Sequence, residues 1–237
     1  MQEIRRSSER GYADHGWLRS YHSFSFADYF DPRHVDFGPL RVINEDRVQP
    51  GAGFGTHAHR DMEILSYVLS GALSHKDSMG NGSTIRPGDV QRMSAGRGVQ
   101  HSEFNGSNSE PVHFLQIWIM PERRGIEPGY EERHFDAAER RGRLRLIASP
   151  DRAAGSVLIH QDARVYAGLF DGEETATLEV GAGRRIYLHV ARGQINANGS
   201  VLSGGDALKL TDTSTVSLRD GRQAELLLFD LPAAATS

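Results

Sequence analysis

Two pairs of residues in this chain have the spacing of metal ligands. In Gly51-Ala-Gly-Phe-Gly-Thr-His57-Ala-His59 two histidines stand two apart, and in His101-Ser-Glu103 a histidine and a carboxylate do the same. Side chains alternate faces along a strand, so each pair projects to one side where its segment is extended. If the two segments face one another across an antiparallel barrel, three nitrogens and one oxygen converge on one point. Such a set suits one divalent cation: iron, nickel, copper, cobalt, manganese or zinc. Positions remain for water or substrate, which points to catalysis over a structural clip. The chain has no cysteine, so disulfides, thiolate ligands and iron–sulfur clusters are excluded.

Other residues near these pairs carry weaker signals. Glu63 has the strand parity of His57 and His59, so on an unbroken strand it points inward as a ligand or as an acceptor behind one; a buried structural carboxylate explains it equally well. Asn105 shares the parity of His101, and an Asx-turn in Asn105-Gly-Ser-Asn is the simpler account. Gly96 and Gly98, just before His101, are placed to supply unusual backbone angles. The remaining histidines, His15, His22, His34, His75, His113, His134, His160 and His189, stand alone and are expected to be ordinary surface or core residues.

The elements that must position the pairs read as strands. Short apolar stretches, Leu40–Ile43, Ile64–Leu69, Phe114–Ile119, Ile186–Val190 and Glu225–Leu231, recur between turns rich in Gly, Asn, Asp and Pro, whereas helical periodicity is weak throughout. Only the stretch around Asp136–Arg143 suggests a short polar helix or linker. The halves show a faint repeat: Ser70-Gly71, strand, turn and Pro87-Gly88-Asp89-Val90 resemble Arg192-Gly193, strand, Asn198-Gly199 and Gly204-Gly205-Asp206-Ala207. Two copies of one β-barrel explain this. Stepping through the second copy at the first copy's spacing places Glu179, Gly181 and Leu218 where the ligands of the first would be. The expectation is therefore an all-β chain of two tandem barrels, a metal-binding domain at 1–131 and a domain without metal ligands at 132–237, the connection lying between about Pro121 and Arg143.

A net charge of -4 offers no basic face to neutralise phosphates, so direct nucleic-acid binding is a poor expectation. The first ten residues are charged, and no run approaches the ~20 apolar residues that span a bilayer. The expectation is a soluble, cytoplasmic protein without membrane contact.

At this point a resemblance becomes visible. Gly51-x5-His57-x-His59-x3-Glu63 resembles the first cupin motif, and Gly88-Asp89…Ala95-Gly96…His101-x3-Asn105 resembles the second. Seven residues separate Glu63 from Gly71, and Ser94 stands where cupins commonly carry proline; both departures are shared by the pirin family. Trp17…His22-Ser-Phe-Ser-Phe26, Asp31-Pro32, Leu40-Arg-Val-Ile-Asn44, His57-x-His-Arg-Asp-Met-Glu63 and Ser94-Ala-Gly-Arg-Gly…His101-Ser-Glu103 look like that family's signatures, and the resemblance covers nearly the whole chain. It is nearest to the short bacterial pirin-like proteins described as quercetin 2,3-dioxygenases. It implies a bicupin of two jelly-roll barrels with few short helices. The implied metal ligands are His57, His59, His101 and Glu103, and not Glu63.

The resemblance further implies a dioxygenase that cleaves a flavonol such as quercetin with O2. Glu103 would take the proton of the flavonol 3-hydroxyl. Pirins are also known as partner-binding coregulators, so a metal- or redox-responsive protein read by a transcription factor, without turnover, is the alternative. A metal-dependent isomerase would use the same ligands.

Overall fold

The computed structural model describes residues 1–233, and they form an all-β chain. Helix is confined to the four residues Ala137–Arg140 and to two three-residue 3-10 turns, Ser7–Glu9 and Ala153–Gly155. No helix among the described residues is long and apolar enough to cross a membrane. The chain divides into two compact units.

The unit built on Gly11–His134 has two antiparallel sheets. The larger runs, edge to edge, through Gly129–His134, Asp89–Ser94, Glu63–Ser70, Val112–Ile119, Leu40–Val48, Leu18–His22 and Gly11–Asp14; the smaller through Gly53–His59, Val99–Asn105, Leu73–Asp77 and Gly82–Ile85. Leu18, Val48, Val68, Val112 and Phe114 of the larger sheet form one buried cluster with Leu73 and Ile85 of the smaller. Apolar residues on alternate positions thus close a barrel between the sheets.

The other unit is a single sheet wrapped round its own core. Its strands run in the order Gln2–Arg5, Ala207–Thr211, Arg185–Ala197, Thr215–Leu231, Arg164–Gly172 and Arg145–Ser149, with Ala176–Glu179 and Ser200–Ser203 pairing on the two longest. Register shifts interrupt those long strands, between Val190 and Arg192 and between Phe170 and Gly172 among others. Such bulges bend a strand, and here Ile186, Leu188 and Val190 share one core with Ile195 and Ala197 from beyond the bend. The repeat seen in the sequence has a backbone counterpart, since Gly71, Gly88, Gly193 and Gly205 all have positive φ.

The expected division at 131/132 needs correction. The principal boundary falls between His134 and Phe135, but Met1–Arg10 belongs to the C-terminal unit and Val157–Gln161 to the N-terminal one. Gln2–Arg5 supplies an edge strand to Ala207–Thr211, while the Leu158 and His160 backbone N–H groups donate to Glu131 and Glu63. Backbone hydrogen bonding, which composition does not reveal, assigns both segments.

Candidate metal centre

Gly53–His59 and Val99–Asn105 pair antiparallel with His101 directly opposite His57. Alternation along the pleat puts His57, His59 and His101 on one face, and the ligand-type atoms of these three imidazoles lie within 4.8 Å of one another. Their ring centroids are 4.5–4.8 Å apart pairwise. A bulge between His101 and Glu103 brings Glu103 opposite Phe54. Here Gly53 is required, because a Cβ on it would stand 2.3 Å from the Glu103 carbonyl oxygen. Gly96 turns the chain ahead of this strand at φ +46, close against the Ile126 carbonyl.

Hydrogen bonding leaves three nitrogens bare. His57 Nδ1 donates to the Gly55 carbonyl at 2.8 Å, which turns an unprotonated Nε2 inward. The buried Nε2 of His59 has no hydrogen-bond partner, an arrangement costly in itself. His101 Nε2 faces His57 Nε2 at 3.0 Å. Two lone pairs cannot hydrogen-bond each other, but donors about 2.1 Å from one ion and at right angles to each other stand about 3 Å apart. Burial and then the charge of His57 push His59 down to about 4; burial, followed by the neighbouring histidines, pushes His101 down to about 3. Both are therefore neutral near pH 7, the form that ligates a metal. The residues fit one divalent cation.

Glu103 lies apart from the three-histidine group, in a second buried group with His101 and His75. Its carboxylate accepts from Ser66 Oγ at 3.1 Å and from Gln116 Nε2 at 2.6 Å. Glu63 points elsewhere: the strand through His59 ends, Asp61 takes a positive φ, and a new strand starts at Glu63 in the other sheet, where its carboxylate accepts from Ser94 Oγ at 2.9 Å and from His160. Parity does not carry across such a break. Asn105 holds its own turn, donating to the Val48 and Glu110 carbonyls and accepting from Ser107 N–H. In the C-terminal unit Leu218 lies in the core and Glu179 is exposed.

The sequence reading passed over several residues. Ser66 and Gln116 interrupt apolar strand runs, Ile64-Leu-Ser-Tyr-Val68 and Phe114-Leu-Gln-Ile-Trp118, a pattern that signals a polar group needed in a core. His75-Lys-Asp77 repeats the two-apart spacing of the ligand pairs. A cavity of about 580 Å3 lies among Tyr12, Trp17, Phe26, Tyr29 and Phe54, and Asp46 and Gln116 also line it. Gln116 thus touches both the cavity and Glu103. Trp118 packs edge-on against His59 at 5.0 Å and against Phe26 at 5.4 Å, linking the cavity wall to the histidines.

A cupin-type barrel holding three convergent imidazoles beside a clamped carboxylate and an aromatic cavity defines a mononuclear metalloprotein. The Pirin family model matches residues 3–119, and that of the quercetinase C-terminal cupin domain matches 146–231. The chain belongs to the pirin family. It is 47% identical to a quercetin 2,3-dioxygenase of Escherichia coli, over 98% of this chain and 99% of that one. The crystal structure of YhhW from Escherichia coli superposes with a TM-score of 0.94 at 46% identity, covering 98% of each chain. That of the bacterial pirin YhhW in complex with nickel(II) gives 0.93 at 45%, covering 98% of this chain and all of that one. One divalent metal per chain is the cofactor that this kinship and the histidine cluster support.

Proposed function

We propose that this chain is a metal-dependent dioxygenase that opens the heterocycle of a flavonol such as quercetin with O2, releasing carbon monoxide and leaving a depside, with His57, His59, His101 and Glu103 as its ligand set. The coarser class, a metal-dependent dioxygenase, rests on the 47% identity to the Escherichia coli enzyme and on the nickel complex of a relative. The observation that supports the substrate is the cavity. Its aromatic walls suit a flat polyphenol, and Asp46, Gln116, Asn44 and Ser20 offer its hydroxyls polar contacts.

When bound, the metal supplies a Lewis acid that lowers the pKa of the flavonol 3-hydroxyl. Glu103 takes that proton as general base. Its place beside His101, oriented by Ser66 and by Gln116, which also lines the cavity, supports this role, because a base must lie within reach of the proton it takes. Gln116 aligns the carboxylate with the cavity, and the aromatic side chains there exclude water from the reacting ring.

The test is to load the purified protein in turn with iron, nickel, copper, cobalt and manganese and to follow quercetin absorbance with O2 uptake. Consumption of both with at least one metal is the expected result. If no metal supports consumption under air, the dioxygenase reading fails and the metal-responsive coregulator replaces it.

A further inference from the structure

We propose that His75 and Asp77 form a positioning dyad behind His101, a hydrogen-bonded chain from carboxylate to imidazole to imidazole that fixes which nitrogen of His101 faces the metal and strengthens it as a donor. The inference rests on the three-histidine reading of the metal centre and is independent of flavonol as substrate.

Leu73–Asp77 pairs antiparallel with Val99–Asn105 on the side away from Gly53–His59, with Asp77 opposite His101 and His75 opposite Glu103. His75 and Asp77 therefore share a face with the metal ligand, and neither side chain is exposed. Asp77 is an anchored carboxylate: the backbone N–H groups of Met79 and Asn81 and the Asn81 side-chain amide donate to it at 2.9–3.2 Å. Burial pushes its carboxyl up, but these hydrogen bonds together with that from His75 outweigh burial and hold it below the usual range. Facing this carboxylate at 3.1 Å is His75 Nε2, which must donate.

The tautomer follows link by link. With its proton on Nε2, His75 turns a lone pair at Nδ1 toward His101 Nδ1, 3.5 Å away. His101 Nδ1 is then the donor, so His101 Nε2 carries the lone pair and faces His57 Nε2 at 3.0 Å. Were the His101 proton on Nε2 instead, two lone pairs would meet at the Nδ1 contact and a proton would point into the ligand cluster. Tyr130 stacks on His75 with centroids 5.0 Å apart and limits rotation of its ring. A carboxylate or carbonyl behind a ligating histidine orients the ring and raises its basicity; here an intervening imidazole relays the same effect.

A second cation shared by His75, His101 and Glu103 is the competing use of this cluster, since their ligand-type atoms also lie within 4.8 Å. The hydrogen bonding disfavours it. With Nε2 already on the first metal, an ion on His101 Nδ1 would require that imidazole to lose both protons, and His75 Nδ1 faces that same nitrogen at 3.5 Å.

The experiment compares wild type, His75→Phe, His75→Gln, Asp77→Asn and His101→Ala, each titrated with Co(II) in a chelator competition and followed by the visible Co(II) spectrum. His75→Phe keeps a ring against Tyr130 but removes the acceptor. It is expected to weaken Co(II) binding by roughly 10–100-fold, the range for loss of a partner behind a ligand, and to shift the spectrum. His75→Gln can still accept from His101 Nδ1–H and is expected to recover most of both. Asp77→Asn is expected to fall between them, which covers the case in which the Phe variant folds poorly. Wild-type affinity and spectrum in both His75→Phe and Asp77→Asn would overturn the dyad. So would a wild type that binds two equivalents of Co(II) and loses one in His75→Phe, which would establish the shared second cation. His101→Ala binding Co(II) as wild type does would instead remove the metal centre on which the dyad depends.

Discussion

The two units build the same kind of barrel on apolar cores and differ in one buried row that crosses the sheet. Across five neighbouring strands of the N-terminal unit, His22, Asn44, Gln116, Ser66 and Gln91 stand side by side in register. Across five strands of the C-terminal unit a row in register reads Ile4, Leu208, Leu188, Leu228 and Tyr166. Burying the polar row is tolerable because its members are paired: His22 Nδ1 with Asn44 Oδ1 at 2.9 Å, Gln116 and Ser66 with Glu103, and Gln91 with the Tyr130 hydroxyl at 3.0 Å. The polar row holds a reactive site in place, and the apolar row supplies cohesion. Sequence repeat alone could not separate these roles; the identity of one residue per strand does.

The largest effect that would sharpen this contrast is on the metal. His101→Ala is expected to lose bound metal and turnover together. Its cooperative unfolding should persist, since the barrel has its own core, unlike a zinc finger that unfolds without its ion. Metal analysis and thermal melting of the same preparation check this. Collapse of the fold would mean that the site is a staple and the polar row a structural feature. Glu103→Gln comes next. The new carboxamide can accept from Gln116 through its oxygen while its NH2 group donates to Ser66 Oγ, so the clamp survives and the base does not. Turnover is expected to fall by ~10²–10⁴ with metal retained, the range for loss of a general base. Unchanged turnover with quercetin would remove Glu103 from the chemistry.

The sequence made part of this site legible, and the limits have physical causes. His57 and His59, like His101 and Glu103, announce themselves because alternation in a strand is local: two residues apart means one face. His75 looked like an isolated histidine because its relation to His101 depends on which strands pair and in what register, and that is decided by packing far along the chain. Glu63 misleads by the same rule that finds the ligands, since parity counts only while the strand is unbroken, and the turn at Asp61 resets it. The all-β class and the two barrels were readable from turn spacing and the repeated Gly71/Gly88 and Gly193/Gly205 pattern. The allocation of Gln2–Arg5 to the second barrel was not, because an edge strand of four residues carries no signal of the strand it joins.

In the apolar row the effect is expected on stability alone. Leu188→Ala removes a fully buried side chain facing Leu208 and Leu228 and is expected to cost about 2–5 kcal/mol, the usual range for a leucine cavity. Denaturant unfolding measures the loss, and Co(II) affinity of the folded protein should not change. A large fall in affinity would show that the C-terminal unit takes part in the site and would break the division of labour.

The smallest effect lies inside the polar row's own barrel and depends on pH. Asp46 is buried opposite Phe114. Burial is the main influence that pushes its carboxyl up to about 7; the hydrogen bond from Ser20 opposes this, and the charges of Glu103 and Glu45 add to it. An unfolded aspartate titrates near 3.8, so the folded state holds the proton more tightly. The stability that Asp46 contributes is therefore fully present below about pH 4 and is lost as pH rises through 7. The three-unit difference sets a ceiling of about 4 kcal/mol, and relaxation around the charged form brings the expectation to about 1–3 kcal/mol. Asp46→Asn retains a partner for Ser20 and cannot ionise, so the metal-free variant should match wild type at about pH 3 and exceed it by that amount at pH 8. No member of the Ile4–Tyr166 row titrates in this window, so Leu188→Ala should displace the stability curve without changing its slope. Parallel pH–stability curves for wild type and Asp46→Asn would mean that the carboxyl titrates alike in the folded and unfolded states, and that the polar interior costs no more at pH 8 than at about pH 3.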